Sequence, residues 1–235
     1  MTTGWLTLSV LSTEFFEEDE STACLSMPSY PFPVAEATGG FVNSRVVICG
    51  GYHDWASTPV TSQCYSLGPN ETEWMPNGNL ITPRFAAASV VMNDKLLIFG
   101  GYNTGYLQTT EEMDIAGRAT LGPSMPFAIK HHCAVKVNPT TALIIGGADE
   151  SSSIKSTHFY DFYGKTFKSG PDLKVARERH ACGILSTSDR SFVVVTGGKN
   201  DEVVLGTTEY MTLDDLTAWS TGLQILTIGK HDVHN

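Results

Sequence analysis

The stretch Val46-Val47-Ile48-Cys49-Gly50-Gly51 decides the fold, because four apolar residues in a row end there in a pair of glycines. The pattern returns three times, with glycine pairs that begin at positions 100, 146 and 197, so the spacings are 50, 46 and 51 residues. A half-exposed strand would alternate apolar and polar residues, whereas a continuous apolar run predicts a strand covered on both faces. The four copies therefore predict four similar units, each with a buried middle strand.

The glycine pairs mark the point where the chain leaves each buried strand. A residue that leaves a crowded strand, where backbones converge, needs a positive φ and no side chain, and glycine supplies both at low cost. Because the pairs recur at the same place in each unit, we expect them to be structural. The structural repeat glycines are Gly50, Gly51, Gly100, Gly101, Gly146, Gly147, Gly197 and Gly198.

Two further markers recur in register with the glycines. The first marker follows the first glycine of its pair by 13 to 15 residues, and the second marker follows the first by 6 to 9 residues. The first markers are Tyr65, Met113, Tyr160 and Tyr210. The second markers are Trp74, Ala119, Phe167 and Trp219. Each unit thus predicts an opening strand, the apolar strand, an aromatic strand, a final strand and a Gly/Pro exit loop.

This unit resembles the kelch repeat, in which an apolar run, a Gly-Gly pair, a tyrosine and a tryptophan recur about every 50 residues. The resemblance covers about residues 34 to 222 and implies an all-β fold, a kelch-type β-propeller with four recognisable blades in a small, partial or truncated ring. Met113 and Ala119 depart from the Tyr and Trp of the pattern, so the outer strand of the second unit should pack more loosely. The implied repeats are about 34–81, 82–127, 128–174 and 175–222.

Closure of the ring stays open at this point, because four units are at the low end of the range for propellers. Three interpretations remain: a complete four-bladed ring, an arc completed by a second copy, or a shortened product of a longer gene, which we favour. An open arc exposes the apolar flanks of two blades, so it predicts self-association. Many kelch proteins carry an added BTB domain, and we expect none here because only 33 residues precede the repeats.

Two segments lie outside the repeats, an irregular acidic and proline-containing segment at 1–33 and a tail at 223–235. The acidic cluster between residues 14 and 20 predicts a solvated arm. The alternative is a bound peptide or a strand, and a strand is suggested because Ser26-Met27-Pro28 resembles the exit of a unit at Ser124-Met125-Pro126. On that alternative, these residues are the remnant outer strand of a blade.

Composition argues against two classes of partner. The 15 Lys and Arg residues against 25 Asp and Glu residues give a net charge of −10, which repels the phosphate backbone of nucleic acids. Purely apolar stretches run to about four residues, far short of the roughly 20 that span a bilayer. We therefore expect no nucleic acid and no membrane insertion.

The cysteines bear on the compartment. Five cysteines at irregular spacing, with no CxxC pair, indicate neither a disulfide framework nor a zinc ribbon, so most are expected to be buried thiols. A Cys49–Cys64 bridge stays open if the two lie on neighbouring strands. Residues 1–10 lack the positive region of a signal peptide, so we predict a cytoplasmic protein, with an extracellular one as the alternative. The sequon Asn70-Glu71-Thr72 has meaning only on the secretory path.

Sequence motifs for catalysis are missing from the chain. It has neither the Gly-Lys-Ser/Thr ending of a phosphate loop nor a Gly-x-Ser-x-Gly elbow. We interpret His131, His132 and His180 as structural and predict no metal and no cofactor. Some propellers resembling this one are enzymes, so the alternative function is a propeller enzyme with an axial metal or sugar site. Its candidate residues are Tyr52, His53, Asp54, Tyr102, Asp149, Glu150 and Asp201.

The function we favour is a non-catalytic protein–protein interaction module of the adaptor or scaffold type. The loops after the Gly-Gly turns vary in chemistry while the strands stay regular, and variable loops on a rigid frame are where binding usually resides. We expect three arginines near the exit loops to pair with an acidic motif of the partner. The predicted partner-binding residues are His53, Asp54, Trp55, Asn103, Tyr106, Asp149, Glu150, Lys199, Asn200, Arg84, Arg177 and Arg179.

Overall fold

The computed structural model describes residues 28–53 and 60–222, which form 18 β-strands and no helix. All strand pairs are antiparallel, and the chain divides into two compact units, residues 1–130 and 131–235. Each unit holds two four-stranded sheets. The predicted all-β class and the four repeated four-stranded sheets are therefore confirmed. None of the described residues belongs to a helix long and apolar enough to cross a membrane.

Unit 1 contains sheet 1 and sheet 2, in which strands adjacent in the chain are adjacent in the sheet. Sheet 1 consists of β1 (Thr38–Val42), β2 (Arg45–Cys49), β3 (Gln63–Leu67) and β4 (Met75–Asn79). Sheet 2 consists of β5 (Ala88–Met92), β6 (Lys95–Phe99), β7 (Thr110–Met113) and β8 (Ala119–Leu121).

Unit 2 contains sheet 3, sheet 4 and one additional hairpin. Sheet 3 consists of β9 (Cys133–Asn138), β10 (Thr141–Ile145), β11 (Thr157–Asp161) and β12 (Thr166–Ser169). Sheet 4 consists of β13 (Ala181–Ser186), β14 (Ser191–Thr196), β17 (Thr208–Thr212) and β18 (Ser220–Thr221). The hairpin of β15 (Lys199–Asn200) and β16 (Val203–Val204) leaves sheet 4 between its second and third strands.

The four apolar runs form the second strand of each sheet, β2, β6, β10 and β14, as the sequence predicted. Within unit 1, one face of β2 packs against Leu96 and Ile98 of β6. Within unit 2, Leu143 and Ile145 of β10 pack against Val193 and Val195 of β14. Within each unit, the two sheets therefore stack face to face through their second strands.

All eight repeat glycines have positive φ, the backbone conformation that glycine adopts at low cost. The second glycine of a pair donates its N–H to the residue that begins the following repeat: Gly51 to the carbonyl oxygen of Arg84 at 2.8 Å, and Gly147 to that of Arg177 at 2.9 Å. At Gly101, with φ of 98°, an added Cβ would lie 2.7 Å from the carbonyl oxygen of Phe85. The pair therefore ties one sheet to the strand entry of the next, where no side chain fits.

Residues 28–34 cover the face of sheet 1 that points away from sheet 2. Tyr30 is buried against Trp74, with ring centroids 5.1 Å apart, and Phe32 and Val34 pack against the same cluster. The indole Nε1 of Trp74 donates to the carbonyl oxygen of Pro28 at 3.1 Å. The described part of the predicted solvated arm is thus packed on sheet 1, and residues 28–33 form no strand there.

Four of the five cysteines form disulfides, which corrects the expectation of mostly buried thiols. Cys49 and Cys64 are directly opposed on β2 and β3, so the bridge that the sequence left open is present. Cys133 and Cys182 join β9 to β13, the first strands of sheets 3 and 4. The fifth cysteine, Cys24, lies outside the described residues.

Candidate functional site

The predicted loops all leave the carboxyl end of a second strand, just after the glycine pair. In chain order they are 52–62, 102–109, 148–156 and 199–207. Sheet topology gives these connections their common position, because each joins the second strand of its sheet to the third at the same end. The side chains that they carry differ between the units. The connections of unit 1 carry aromatic rings, and those of unit 2 carry charged residues.

In unit 1 the connections meet in a ring cluster, which we define as Tyr52, Phe85, Tyr102, Tyr106 and Lys130. Successive ring centroids are 5.2, 5.4 and 5.3 Å apart from the first residue to the fourth. The ammonium group of Lys130 lies 4.5 Å from the centroid of one tyrosine ring and 4.8 Å from the other. Single-residue β-bridges, Phe85 to Tyr102 and Tyr102 to Tyr106, fix the backbone beneath the rings.

The ring cluster is buried at one end and partly exposed at the other. Tyr52 and Phe85 are buried, whereas Tyr102, Tyr106 and Lys130 keep part of their surface in solvent. Aromatic side chains held in this way offer a large contact area at a small entropic cost. A cation already placed over two rings adds a positive charge at the exposed end. The exposed end of the cluster can therefore contact an apolar or acidic group.

The other predicted residues of unit 1 are partly covered. The ring of His53 packs against Phe32, with centroids 4.2 Å apart. The backbone N–H of Asn103 donates to the carbonyl oxygen of Gly105 at 3.1 Å, which closes the tip of the 102–109 connection. Asp54 and Trp55 lie in 54–59, outside the described residues. Trp55 therefore remains a prediction as an anchor.

In unit 2 the two connections are joined by a pair of reciprocal hydrogen bonds. The backbone N–H of Ser153 donates to Oδ1 of Asp201, and the backbone N–H of Asp201 donates to Oγ of Ser153, each at 2.9 Å. Asp149 shapes its own turn, because its Oδ1 accepts from the backbone of Ser151 at 2.8 Å. Glu150, at the tip of this turn, is exposed. Predicted residues from the third and fourth repeats are thus brought together.

Three polar side chains of unit 2 lie in a row, and we call His131, Glu178 and Lys199 the polar cluster. Nδ1 of His131 lies 3.1 Å from Oε2 of Glu178, and Nζ of Lys199 lies 3.3 Å from Oε1 of the same carboxylate. The backbones of Glu178 and Lys199 also exchange two hydrogen bonds of 2.9 Å. The side chain of Lys199 is therefore held by an internal acid at the base of the hairpin, where Asn200 pairs with Val203.

The hairpin of β15 and β16 presents two apolar side chains that sequence reasoning missed. Val203 is 65% exposed and Val204 is 73% exposed, next to the exposed acids Asp201 and Glu202. The available signal was a Val-Val pair inside a segment that every other feature marked as a loop. Two neighbouring apolar side chains rimmed by acids form a candidate contact surface.

The structure corrects the prediction that Arg84 and Arg177 pair with a partner. They are only 1% and 0% exposed, and each binds a buried glutamate, Arg84 to Glu111 at 2.5 Å and Arg177 to Glu209 at 2.8 Å. Nη1 of each arginine also donates to two backbone carbonyl oxygens. A guanidinium used in this way has no surface left for a partner. Arg179, in contrast, is exposed, with φ of 54°.

The two arginine sites share the bonds of both guanidinium Nη atoms and differ at Nε, which donates to the carbonyl oxygen of Thr82 at 3.4 Å in Arg84 and has no partner among the described residues in Arg177. Glu111 accepts the backbone N–H groups of Ile81 and Thr82, and Glu209 accepts those of Lys174 and Val175. The arginine therefore neutralises a carboxylate that holds the exit loop of the preceding repeat. Burial lowers the pKa of Arg84 from its ordinary value, and Glu111 opposes that shift. The arrangement is a structural device of the second and fourth repeats.

The ring of His180 is buried in unit 2. Burial, with a further contribution from the charge of Arg177, lowers the pKa of His180 to about 4. The ring is therefore neutral at neutral pH and is not poised as a general base there. Within residues 28–53 and 60–222, no three His, Cys, Asp or Glu residues lie together as metal ligands would.

Known protein families offer no further assignment, because no family model matches the chain. Its described residues define the class of protein: an all-β chain built of repeated four-stranded antiparallel sheets, cross-linked by two disulfides. In each unit, connections that follow the glycine pairs come together at one end of the sheets.

Proposed function

We propose that the chain is a kelch-repeat module that binds a protein partner without catalysing a reaction, as an adaptor or scaffold does. One observation carries the proposal: the frame repeats closely while the connections do not. The Nη atoms of Arg84 and Arg177 have the same types of partner, yet the connections of unit 1 present rings and those of unit 2 present acids, a lysine and two valines. Rigid frames with variable connections are typical of binding proteins.

The chemistry of the exposed groups suggests what a partner offers. Val203 and Val204 fit an apolar pocket, and Asp201, Glu202 and Glu150 around them favour basic residues at its rim. The net charge of −10 speeds association with a basic partner surface. The proposed partner surface for unit 2 is therefore a basic-rimmed apolar pocket on another protein.

The kelch assignment makes each four-stranded sheet one blade of a β-propeller. It rests on the period, the glycine pairs and the aromatic markers, together with the four matching sheets. A crystal structure of the purified chain tests it. The first strands β1, β5, β9 and β13 should line a common channel, and four first strands without a common axis would contradict the assignment.

The binding proposal is tested by affinity capture from the native source with a matched pair of variants. The loop variant combines Val203→Ser, Val204→Ser and Glu150→Lys. The control variant combines Tyr163→Ser and Asp189→Lys, which also removes exposed apolar surface and reverses an exposed acid. Tyr163 is 68% exposed, and both control residues lie in turns at the opposite ends of sheets 3 and 4.

The expected result is that wild type and control variant capture the same protein, whereas the loop variant captures it at least tenfold less. All three should unfold at the same temperature, since the changed residues are exposed. Equal capture by the loop variant would contradict the proposed surface. Capture lost by both variants would contradict the position of the binding surface at the end of the sheets where the glycine pairs lie.

A further inference from the structure

The sequence contains a single acceptor for N-linked glycosylation. Asn70-Glu71-Thr72 is the one Asn-x-Ser/Thr triplet of the 235 residues whose middle residue is not proline. A second triplet, Asn138-Pro139-Thr140, has the same ends but carries proline, which blocks glycan transfer. The chain therefore carries both a candidate site and a natural control of almost the same sequence.

The structure presents this triplet at the surface. It lies in the connection between β3 and β4, where Asn70 and Thr72 are exposed. Glu71 between them is partly exposed and turned towards Arg45: its carboxylate accepts from Arg45 at 2.8 and 2.7 Å and from the backbone N–H of Gly68 at 2.9 Å. These bonds lower the pKa of Glu71 and fix the loop. The two side chains that glycosylation requires are exposed on either side of it.

The disulfides are an independent observation that points to the same compartment. Disulfides form and persist in oxidising compartments, and N-linked glycans are added in the secretory pathway of the same cells. Cys64 lies on β3, the strand that precedes the loop of Asn70. Its bridge to Cys49 links β3 to β2 in the same sheet. The second bridge, Cys133–Cys182, lies in the other unit. Both units thus carry a bond that an oxidising lumen supplies.

We propose that Asn70 carries an N-linked glycan, which places the chain in the secretory pathway. The side-chain nitrogen of Asn70 attacks the anomeric carbon of an oligosaccharide carried on a lipid pyrophosphate. A carbon–nitrogen bond forms, the bond from that carbon to the pyrophosphate oxygen breaks, and the lipid pyrophosphate leaves. The amide loses one proton, and no oxidant or reductant is consumed.

The position of Asn70 keeps the glycan away from the candidate binding loops of its own unit. The β3–β4 connection lies at the end of sheet 1 opposite to the 52–62 connection, because consecutive connections of an antiparallel sheet alternate between its ends. A glycan there shields the turn Asn43-Ser44 and the Arg45–Glu71 ion pair. The proposal therefore does not depend on the proposed function, and loss of the glycan should leave partner capture unchanged.

The test expresses the complete coding sequence in eukaryotic cells and compares wild type, Asn70→Gln, Thr72→Ser and Pro139→Ala. Wild type and Thr72→Ser should each show one mobility step that peptide N-glycosidase removes, with Asn70 converted to aspartate in the peptide mass spectrum. Asn70→Gln should lack that step. Pro139→Ala should add a second step, since Asn138 and Thr140 are exposed and the blocking residue is gone.

Two results would overturn the proposal. A glycan on Asn138 of Pro139→Ala without one on Asn70 would show that the chain reaches the transferase but that the β3–β4 loop is not an acceptor. No glycan on any of the four proteins would show that the chain does not pass through that compartment. Partner capture by Asn70→Gln, measured in parallel, separates either result from a failure of the proposed binding function.

Discussion

Trp219 donates its indole N–H to the carbonyl oxygen of Pro171, 48 residues earlier, over 2.9 Å. The bond joins the residue just before the last strand of sheet 4 to the exit loop of sheet 3. Trp74 makes the same bond to Pro28 at 3.1 Å, although no sheet precedes it among the described residues. Residues 28–34 therefore occupy, on sheet 1, the place that the exit of a preceding repeat occupies on sheet 4.

Replacement of this tryptophan by phenylalanine removes the hydrogen bond and keeps an aromatic ring. We expect Trp219→Phe to lower the free energy of unfolding by about 2 kcal/mol, from the lost bond and the smaller buried ring. Pro171 keeps a second donor, Oγ1 of Thr157 at 2.8 Å, which limits the cost. Urea titration followed by circular dichroism measures the change. The substitution Tyr163→Phe at an exposed position should leave the free energy of unfolding unchanged. An equal loss there would contradict the contribution of the Trp219 hydrogen bond.

The buried ion pair Arg177–Glu209 gives a second prediction. Arg177→Met leaves the carboxylate of Glu209 buried without its counter-charge and should cost about 3 to 5 kcal/mol. The double variant Arg177→Met/Glu209→Gln should be more stable than that single variant by about 1 to 2 kcal/mol, because the unpaired charge is gone. The measurement is the free energy of unfolding of both proteins in urea.

Sheet 2 supplies an internal replicate of this experiment. The Nη atoms of Arg84 and the carboxylate of Glu111 have partners equivalent to those of Arg177 and Glu209. Arg84→Met should therefore show the same pattern as Arg177→Met. A cost below about 1 kcal/mol for both arginine variants would mean that these pairs contribute little, as exposed ion pairs do. A double variant less stable than the single one would also contradict the prediction.

The acid sensitivity of unit 2 should depend on His180. Its pKa is lowered from 6.5 to about 4, so between these values the unfolded chain binds a proton that the folded chain does not. Stability from this residue is therefore present above pH 6.5 and is lost as the pH falls towards 4, by about 3 kcal/mol in all. His180→Gln should flatten the decline between pH 6.5 and 4, as measured by unfolding at a series of pH values. An unchanged slope would contradict it.

The sequence predicted the frame because the frame repeats. The apolar runs are the second strands, and the markers Tyr65, Met113 and Tyr160 lie on the third strands, as their spacing indicated. The Arg–Glu pairs could not be predicted in the same way, since only two repeats have them. Opposite Ile48 and Ile144, where the glutamates would be, β3 and β11 carry Tyr65 and His158.

The candidate site was predicted less completely than the frame. The repeat pattern placed the variable residues in the connections. There, hydrogen bonds link Asp201 to Ser153, and the rings of Tyr102 and Tyr106 are in contact. Sequence could not show that Arg84 points inward, because a basic residue in an exit loop has the same pattern whether it binds solvent or a buried acid. The Cys133–Cys182 bridge was missed for a related reason: its residues are 49 apart and meet through sheet stacking alone.

The two disulfides should differ in their resistance to reductant. Cys49 and Cys64 are 0% and 1% exposed, whereas Cys133 and Cys182 are both partly exposed. A thiolate has to reach a sulfur atom to break the bond, so mild reduction of the folded chain should open Cys133–Cys182 first. Alkylation followed by peptide mass spectrometry identifies the opened pair. Earlier alkylation at Cys49 and Cys64 would contradict the order.

Loss of the Cys133–Cys182 bridge should also lower the stability of unit 2. A bridge between residues 49 apart restricts the unfolded chain and contributes about 4 kcal/mol on chain-entropy grounds. The paired variant Cys133→Ser/Cys182→Ser should show that loss in urea. A change below about 1 kcal/mol would indicate that the bridge forms without restricting the unfolded state.

The same bridge determines what proteolytic cleavage does to the folded protein. Cys133 and Cys182 enclose all of sheet 3 beyond its first residue, including the exposed turn at Tyr163. A protease that cuts that turn breaks the backbone, but the two pieces stay covalently joined through the disulfide. Such nicked molecules would run at full size on a gel until a reducing agent releases the fragments.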